Sequence, residues 1–300
     1  MIPFASLADS SMAEKITQEA LKQGMNASFE QDPNSNQFIL LIDSEENVAK
    51  AQDIYRVMLG LPRRFEQSKE WSEIQTISMG PVTKCLIIFS IVIFILGFYK
   101  IVPELYPIMM LTPNFFSDFS NIDAYRIFTP IFIHFGLIHI LFNMMWMKDL
   151  GKIVEYERGG NFLLYFTLIV GAISNCAQFF STGANFGGMS GVIYGLLGYL
   201  WMYKRFNPKA QFSLPKHDVL IMVGWFFLCL SGVLVFSIAN MAHAMGLSLG
   251  MIVGIFLGLR SYESSEKSLK DIVMFSMFAI CLPMLTQAVE LIKISFKSGV

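Results

Sequence analysis

The chain has 300 residues, of which 54% are hydrophobic and 15% charged, with a formal net charge of −1. The mean hydropathy is +0.53, and 19 of the charged residues fall in the first 80 positions. A single soluble globule and a disordered chain are excluded by that apolar excess, and a nucleic-acid binder by the missing basic surplus.

The first stretch reads as a soluble head. Met1–Asp9 lacks a basic n-region, so no cleavable leader is expected. Ser10 and Ser11, followed by Glu14, predict a helix start, with an apolar pattern to Gly24. Ala27–Gln31 and Gln37–Ile42, separated by the turn cluster Asp32–Asn36, predict a β-hairpin. Ser44 opens a second helix to about Leu59. The expected order is α-β-β-α in a small α+β domain over residues 1–61, either regulatory or partner-binding or else inert, followed by a linker over 62–80 at the membrane surface.

Runs long enough to cross the hydrocarbon core follow at Val82–Tyr99, Phe128–Met147, Phe162–Phe180, Phe186–Tyr203, Val219–Phe236 and Met241–Leu259. A candidate seventh lies at Ile272–Ile292, weakened by Gln287 and Glu290, and either spans or lies flat. The expected fold is an all-α polytopic membrane bundle with six core spans over 81–260, and a charged loop plus the candidate seventh helix over 261–300. Lys148, Lys152 and Arg158 follow span two, Lys204, Arg205, Lys209 and Lys216 follow span four, and Arg260, Lys267 and Lys270 follow span six. The loops after spans three and five carry no Lys or Arg. The even-numbered spans are therefore expected to end in the cytoplasm, and the head to be cytoplasmic too. The Pro-broken, apolar loop Ile101–Tyr125, which includes Phe116 and Phe119, is expected to be interfacial or half-inserted on the outer side. Cys85, Cys176, Cys229 and Cys281 lie in apolar runs without metal or disulfide spacing and read as reduced thiols.

Polar side chains inside spans are costly and mark function. Three groups lie near the outer ends of the even spans: His134 to Asn143 with His139 between, Gly187–Gly191 around Ser190, and Asn240 to Gly246 around His243. Topology brings Ser190, His243, His139 and Asn143 to a similar depth. Gly191, Gly195 and Gly198 on span four, and Gly246, Gly250, Gly254 and Gly258 on span six, form stripes that allow close helix packing. A serine hydroxyl needs a base to become nucleophilic, and histidine has the matching pKa range. With no Asp or Glu at that depth, the expectation is a Ser190–His243 dyad. Tyr194, four residues after Ser190, is placed to stack on the imidazole. Asn143 and His139, with the Ser190 amide, form an expected oxyanion hole, in an outward-open wet cavity about 10 Å deep. His134 is read as structural, and His217, on the cytoplasmic side, as unrelated.

The segments HFGLIHILFN, FGGMSGVIYG and ANMAHAMGLSLG, with KDLGKIVEYERG after span two, resemble the rhomboid intramembrane serine proteases. The resemblance covers roughly residues 80–260. It implies Ser190 as nucleophile, His243 as base, and His139 and Asn143 in the oxyanion hole. Tyr194 would pack on His243, and Glu155 would tie down the turn after span two. Gly188, Gly191, His134 and Arg126 are expected as supporting residues. Tyr125-Arg126 stands where the family has Trp-Arg, and the candidate seventh span is an addition to the six-span core. The implied enzyme uses no metal or cofactor. It cuts transmembrane protein substrates in the bilayer of a bacterial inner membrane, with its N-terminus cytoplasmic and its site opening to the periplasm. Span five, Val219–Phe236, is expected to act as a lateral gate. The competing reading is a non-proteolytic relative that binds transmembrane clients, and no feature supports nucleic-acid partners.

Overall fold

The computed structural model describes residues 1–63, 68–115, 121–233, 238–261 and 269–298. Among the residues named above, Phe116, Phe119, Phe236 and Lys267 lie outside it. The chain forms two compact units, Met1–Gln67 and Ser68–Val300.

The first unit opens with a strand that the sequence reading omitted. β1 (Ile2–Leu7) is followed by α1 (Ser10–Lys22), β2 (Ala27–Gln31), β3 (Phe38–Ile42) and α2 (Glu45–Met58), giving β-α-β-β-α. The sheet order is β1-β3-β2, antiparallel throughout. β1 carries Pro3, which donates no ladder hydrogen bond; the edge position and a register irregularity between Pro3 and Ala5 accommodate it. Asp9 caps α1 by accepting from the Ser11 amide at 2.9 Å, in place of the expected serine cap. Ser44 precedes α2 without a side-chain capping bond. With the third strand the head closes a core of Phe4, Ile16, Met25, Leu40, Ile42 and Ile54.

The second unit begins inside the expected linker. α3 (Lys69–Gln75) buries Ile74 completely, and Trp71 packs on the same core. Next come α4 (Pro81–Phe98), α5 (Leu105–Met109), α6 (Leu137–Trp146), α7 (Lys152–Arg158), α8 (Gly160–Thr182), α9 (Ser190–Phe206), α10 (Lys216–Ser231), α11 (Asn240–Ser261) and α12 (Leu269–Ser298). Four of these, α4, α8, α11 and α12, are long and apolar enough to cross a membrane.

The second expected span is redrawn. Thr129–Phe132 is a short 3-10 turn led by Pro130, and regular helix starts only at Leu137, after the extended Gly136. The helix then passes through a π turn at Met147–Gly151 into α7. Pro130 and Gly136 explain the late start: each breaks helix at its position. The loop between α4 and α6 is anchored by side chains. Arg126 donates to the Pro107 and Met110 carbonyls at 2.8 and 2.9 Å and pairs with Asp123 at 2.9 Å. The Thr129 hydroxyl donates to the Met109 carbonyl at 2.6 Å.

α9 and α11 pack most closely of all. A methyl built on Gly246 would overlap the Gly191 carbonyl, and one on Gly250 the Gly195 carbonyl. The backbones therefore touch along the two glycine stripes. α12 does not lie apart. Its Asp271 pairs with Arg205 at the end of α9, and its Phe275 packs edge-on against Trp201 and Phe206. Large apolar side chains on the outer faces are exposed, such as Ile138 at 71% and Leu220 at 73%. That is how a lipid-facing surface reads.

Candidate active site

Ser190 is the first residue of α9, and its N–H is among the four amides that helix geometry leaves without an intrahelical acceptor. α11 starts at Asn240 and carries His243 one turn later. Because the two helices meet backbone to backbone, these side chains face each other: Ser190 Oγ and His243 Nε2 are 2.7 Å apart. His243 is buried, whereas Ser190 is only partly so. Among the described residues, His243 Nδ1 is buried with no hydrogen-bond partner, and no carboxylate orients the ring.

Tyr194 holds it instead. Its ring lies over the imidazole with centroids 4.8 Å apart, tilted by 32°. The Tyr194 hydroxyl donates to the Met222 carbonyl on α10 at 2.9 Å, and Phe226 of α10 packs edge-on against the tyrosine ring.

Gly188 occupies the space between Ser190 and His139. A methyl built there would lie 2.7 Å from His139 Nε2 and 3.8 Å from Ser190 Oγ. Its φ of 122° lies in the region that favours glycine, and its amide donates to the Pro130 carbonyl at 2.9 Å. Asn143 shares the His139 face of α6; its Nδ2 donates to the His139 carbonyl at 2.8 Å and its Oδ1 is buried without a partner. His134 is fully buried before α6, with Nδ1 3.1 Å from the Phe132 carbonyl and its ring 5.0 Å from that of His139. Gly191 sets the α9–α11 approach: a methyl there would lie 3.2 Å from the Ala242 carbonyl.

Two expected supporting residues lie elsewhere. Glu155 accepts from the Val82 and Thr83 amides, each at 2.8 Å, and from the Thr83 hydroxyl at 2.6 Å. It therefore caps α4 as well as belonging to the turn after α6. Arg126 remains in the network with Pro107, Met110 and Asp123. His217 pairs with Asp218 at 3.1 Å, away from this constellation. Among the described residues, no group of three or more His, Cys, Asp or Glu converges as metal ligands.

Sequence reasoning missed the polar face of α8. Gln178 Oε1 accepts from the Ala242 amide at 3.0 Å, beside His243, and Asn175 Nδ2 donates to the Ile127 carbonyl at 2.8 Å. Ser174 lies against Gly191. The signal was present: Gln178 stands four residues after Ser174 and three after Asn175 in a largely apolar span.

A family model described as the Rhomboid domain matches residues 121–260. The Rhomboid protease GlpG of Pectobacterium atrosepticum is 29% identical over 245 residues, covering 75% of this chain and 86% of that one. Those of Yersinia pestis and Yersinia pseudotuberculosis are each 33% identical over 190 residues, covering 63% of this chain and 67% of theirs. The matched stretch contains both close-packed helices and the serine–histidine pair, and the chain belongs to the rhomboid family as a GlpG-type intramembrane serine protease of the membrane-embedded kind.

Proposed function

We propose that this protein cuts peptide bonds in or near transmembrane segments of other proteins, with Ser190 as nucleophile and His243 as general base. The 2.7 Å contact between Ser190 Oγ and His243 Nε2 carries the reading. The serine hydroxyl donates to Nε2, and the neutral ring keeps its proton on Nδ1. As Oγ attacks the scissile carbonyl carbon, its proton passes to Nε2 and the carbonyl oxygen takes the negative charge. The Ser190 amide, His139 and Asn143 supply the donors for that oxyanion. The imidazolium then protonates the leaving amine, and the acyl-serine ester forms. Water, deprotonated by the same nitrogen, hydrolyses the ester and restores the dyad. Tyr194 keeps the ring in register where a third catalytic group would otherwise do so.

The domain plan follows the same reading: a cytoplasmic head over 1–61, a linker over 62–80, six core spans over 81–260, and a charged loop with a candidate seventh span over 261–300. The loop charges support an inner-membrane orientation with the N-terminus cytoplasmic and the serine opening to the periplasm through a hydrated cavity. Partial exposure of Ser190 supports water access. The non-proteolytic reading is disfavoured, since such a protein has no need of a serine and a histidine in contact.

Reconstituted with a single-span test substrate, Ser190→Ala and His243→Ala should each lose cleavage by at least about a thousandfold while remaining folded. Full turnover by either variant removes the dyad.

A further inference from the structure

α12 carries the charged residue that weakened it as a span. Glu290 is largely shielded, with a side chain 13% exposed, and such a group in an apolar helix needs a partner. Its Oε1 accepts from Asn240 Nδ2 at 2.8 Å and from Lys293 Nζ at 3.0 Å. Asn240 is buried, opens α11 and stands one turn before His243. Lys293 also lies against Gly232, the left-handed residue that ends α10: a methyl built there would be 3.3 Å from Lys293 Cε. At its other end α12 meets Arg205 through Asp271, ~28 Å of helix away. The helix thus runs along α11 and, at Glu290, meets the starting turn of the helix that bears the proposed base.

We propose that Glu290 is a positioning residue for the protease, fixing the first turn of α11 through Asn240 and thereby the His243 ring against Ser190. The inference rests on the dyad reading. The starting turn of α11 is held from two sides, by Gln178 through the Ala242 amide and by Glu290 through the Asn240 side chain. Without the carboxylate, Asn240 Nδ2 loses its acceptor while its Oδ1 is already buried without a partner. A buried amide left unpaired rearranges toward other partners, and here the backbone that moves with it carries the base. Lys293 balances the charge, so that the Glu290 side chain is held as a pair at the helix end.

The test compares wild type, Glu290→Ala, Glu290→Gln and Asn240→Ala, reconstituted with the single-span substrate, alongside the rate at which a fluorophosphonate labels Ser190. Glu290→Ala should lower kcat by about tenfold with KM within about twofold, and slow labelling by the same factor, because small misplacements of reacting groups are costly. Glu290→Gln keeps an acceptor oxygen toward Asn240 and should recover at least half the activity. Asn240→Ala breaks the same bond from the other side and should match Glu290→Ala, which keeps the test decisive should that variant not fold. Wild-type kcat and labelling in Glu290→Ala or Asn240→Ala, or a glutamine variant as impaired as the alanine one, overturns the proposal. Absence of labelling in the wild type overturns the dyad reading and this inference with it, whereas a labelled wild type beside unaffected variants overturns this inference alone.

Discussion

Gly188 and Gly246 show how much of the site depends on missing side chains. At Gly188 the backbone has φ 122°, and an added methyl would press on His139 Nε2. Gly188→Ala should therefore reduce kcat by at least tenfold, on the order of 1.4 kcal/mol, with a smaller effect on the melting temperature. At Gly246 the added methyl meets the Gly191 carbonyl. That backbone cannot turn aside as a side chain would, so Gly246→Ala should cost about 1–3 kcal/mol of stability, measured as unfolding in detergent, and slow cleavage as Ser190 and His243 separate. A stable, fully active Gly246→Ala protein would contradict the close packing. Gly246 was legible in the sequence as part of a stripe of glycines four apart, and Gly188 only as a supporting residue implied by the resemblance. The sequence did not reveal that Gly188 lies against His139, because that contact depends on where the chain returns after Gly136.

At the scale of elements, the Glu155 cap joins two segments far apart in sequence. Removing it leaves the Val82 and Thr83 amides and the Thr83 hydroxyl without their acceptor. Glu155→Ala should cost about 3 kcal/mol in unfolding experiments, while the folded fraction labels at the normal rate. A loss of labelling rate without loss of stability would place Glu155 in the chemistry instead. In the head, the Ser35 hydroxyl and Asn34 amide hold the Asp32 carboxyl below the usual range, and the Asn47 and Asn26 donors do the same for Asp43. A depressed carboxyl stabilises the fold above its unfolded pKa, and that contribution is lost as pH falls through the folded value. The head should accordingly lose stability below about pH 4, a loss that a circular-dichroism titration would show. An unchanged melting temperature on acidification would contradict it. Helices α4, α8, α9 and α11 were legible to within a few residues, because long apolar runs leave few alternatives. The strand β1 was not: Pro3 interrupts its pattern, and only pairing with β3 makes it a strand. The start of α6 was not legible either, since an apolar run does not distinguish helix from the 3-10 turn and extended stretch around Pro130 and Gly136.

For the whole molecule, membrane orientation and the standing of α12 go together. If α12 crosses from Asp271 to Glu290, the C-terminus faces the side opposite the head. Alkaline phosphatase fused after Val300 should then be active in cells and a fluorescent-protein fusion dark; the reverse pattern would return α12 to the cytoplasmic face. The sequence alone left this open because Glu290 weakened the span, and only its pairing with Asn240 and Lys293 explains a charge there. The proposed chemistry rests on one contact between an alcohol and an imidazole. Its most direct measurement is site-mapped covalent labelling of the membrane-reconstituted protein by a fluorophosphonate, comparing wild type, His243→Ala and Ser190→Ala. A single phosphonylated peptide containing Ser190, much reduced in His243→Ala and missing in Ser190→Ala, is the predicted result. Equal labelling of wild type and His243→Ala, or modification at another residue, would contradict it.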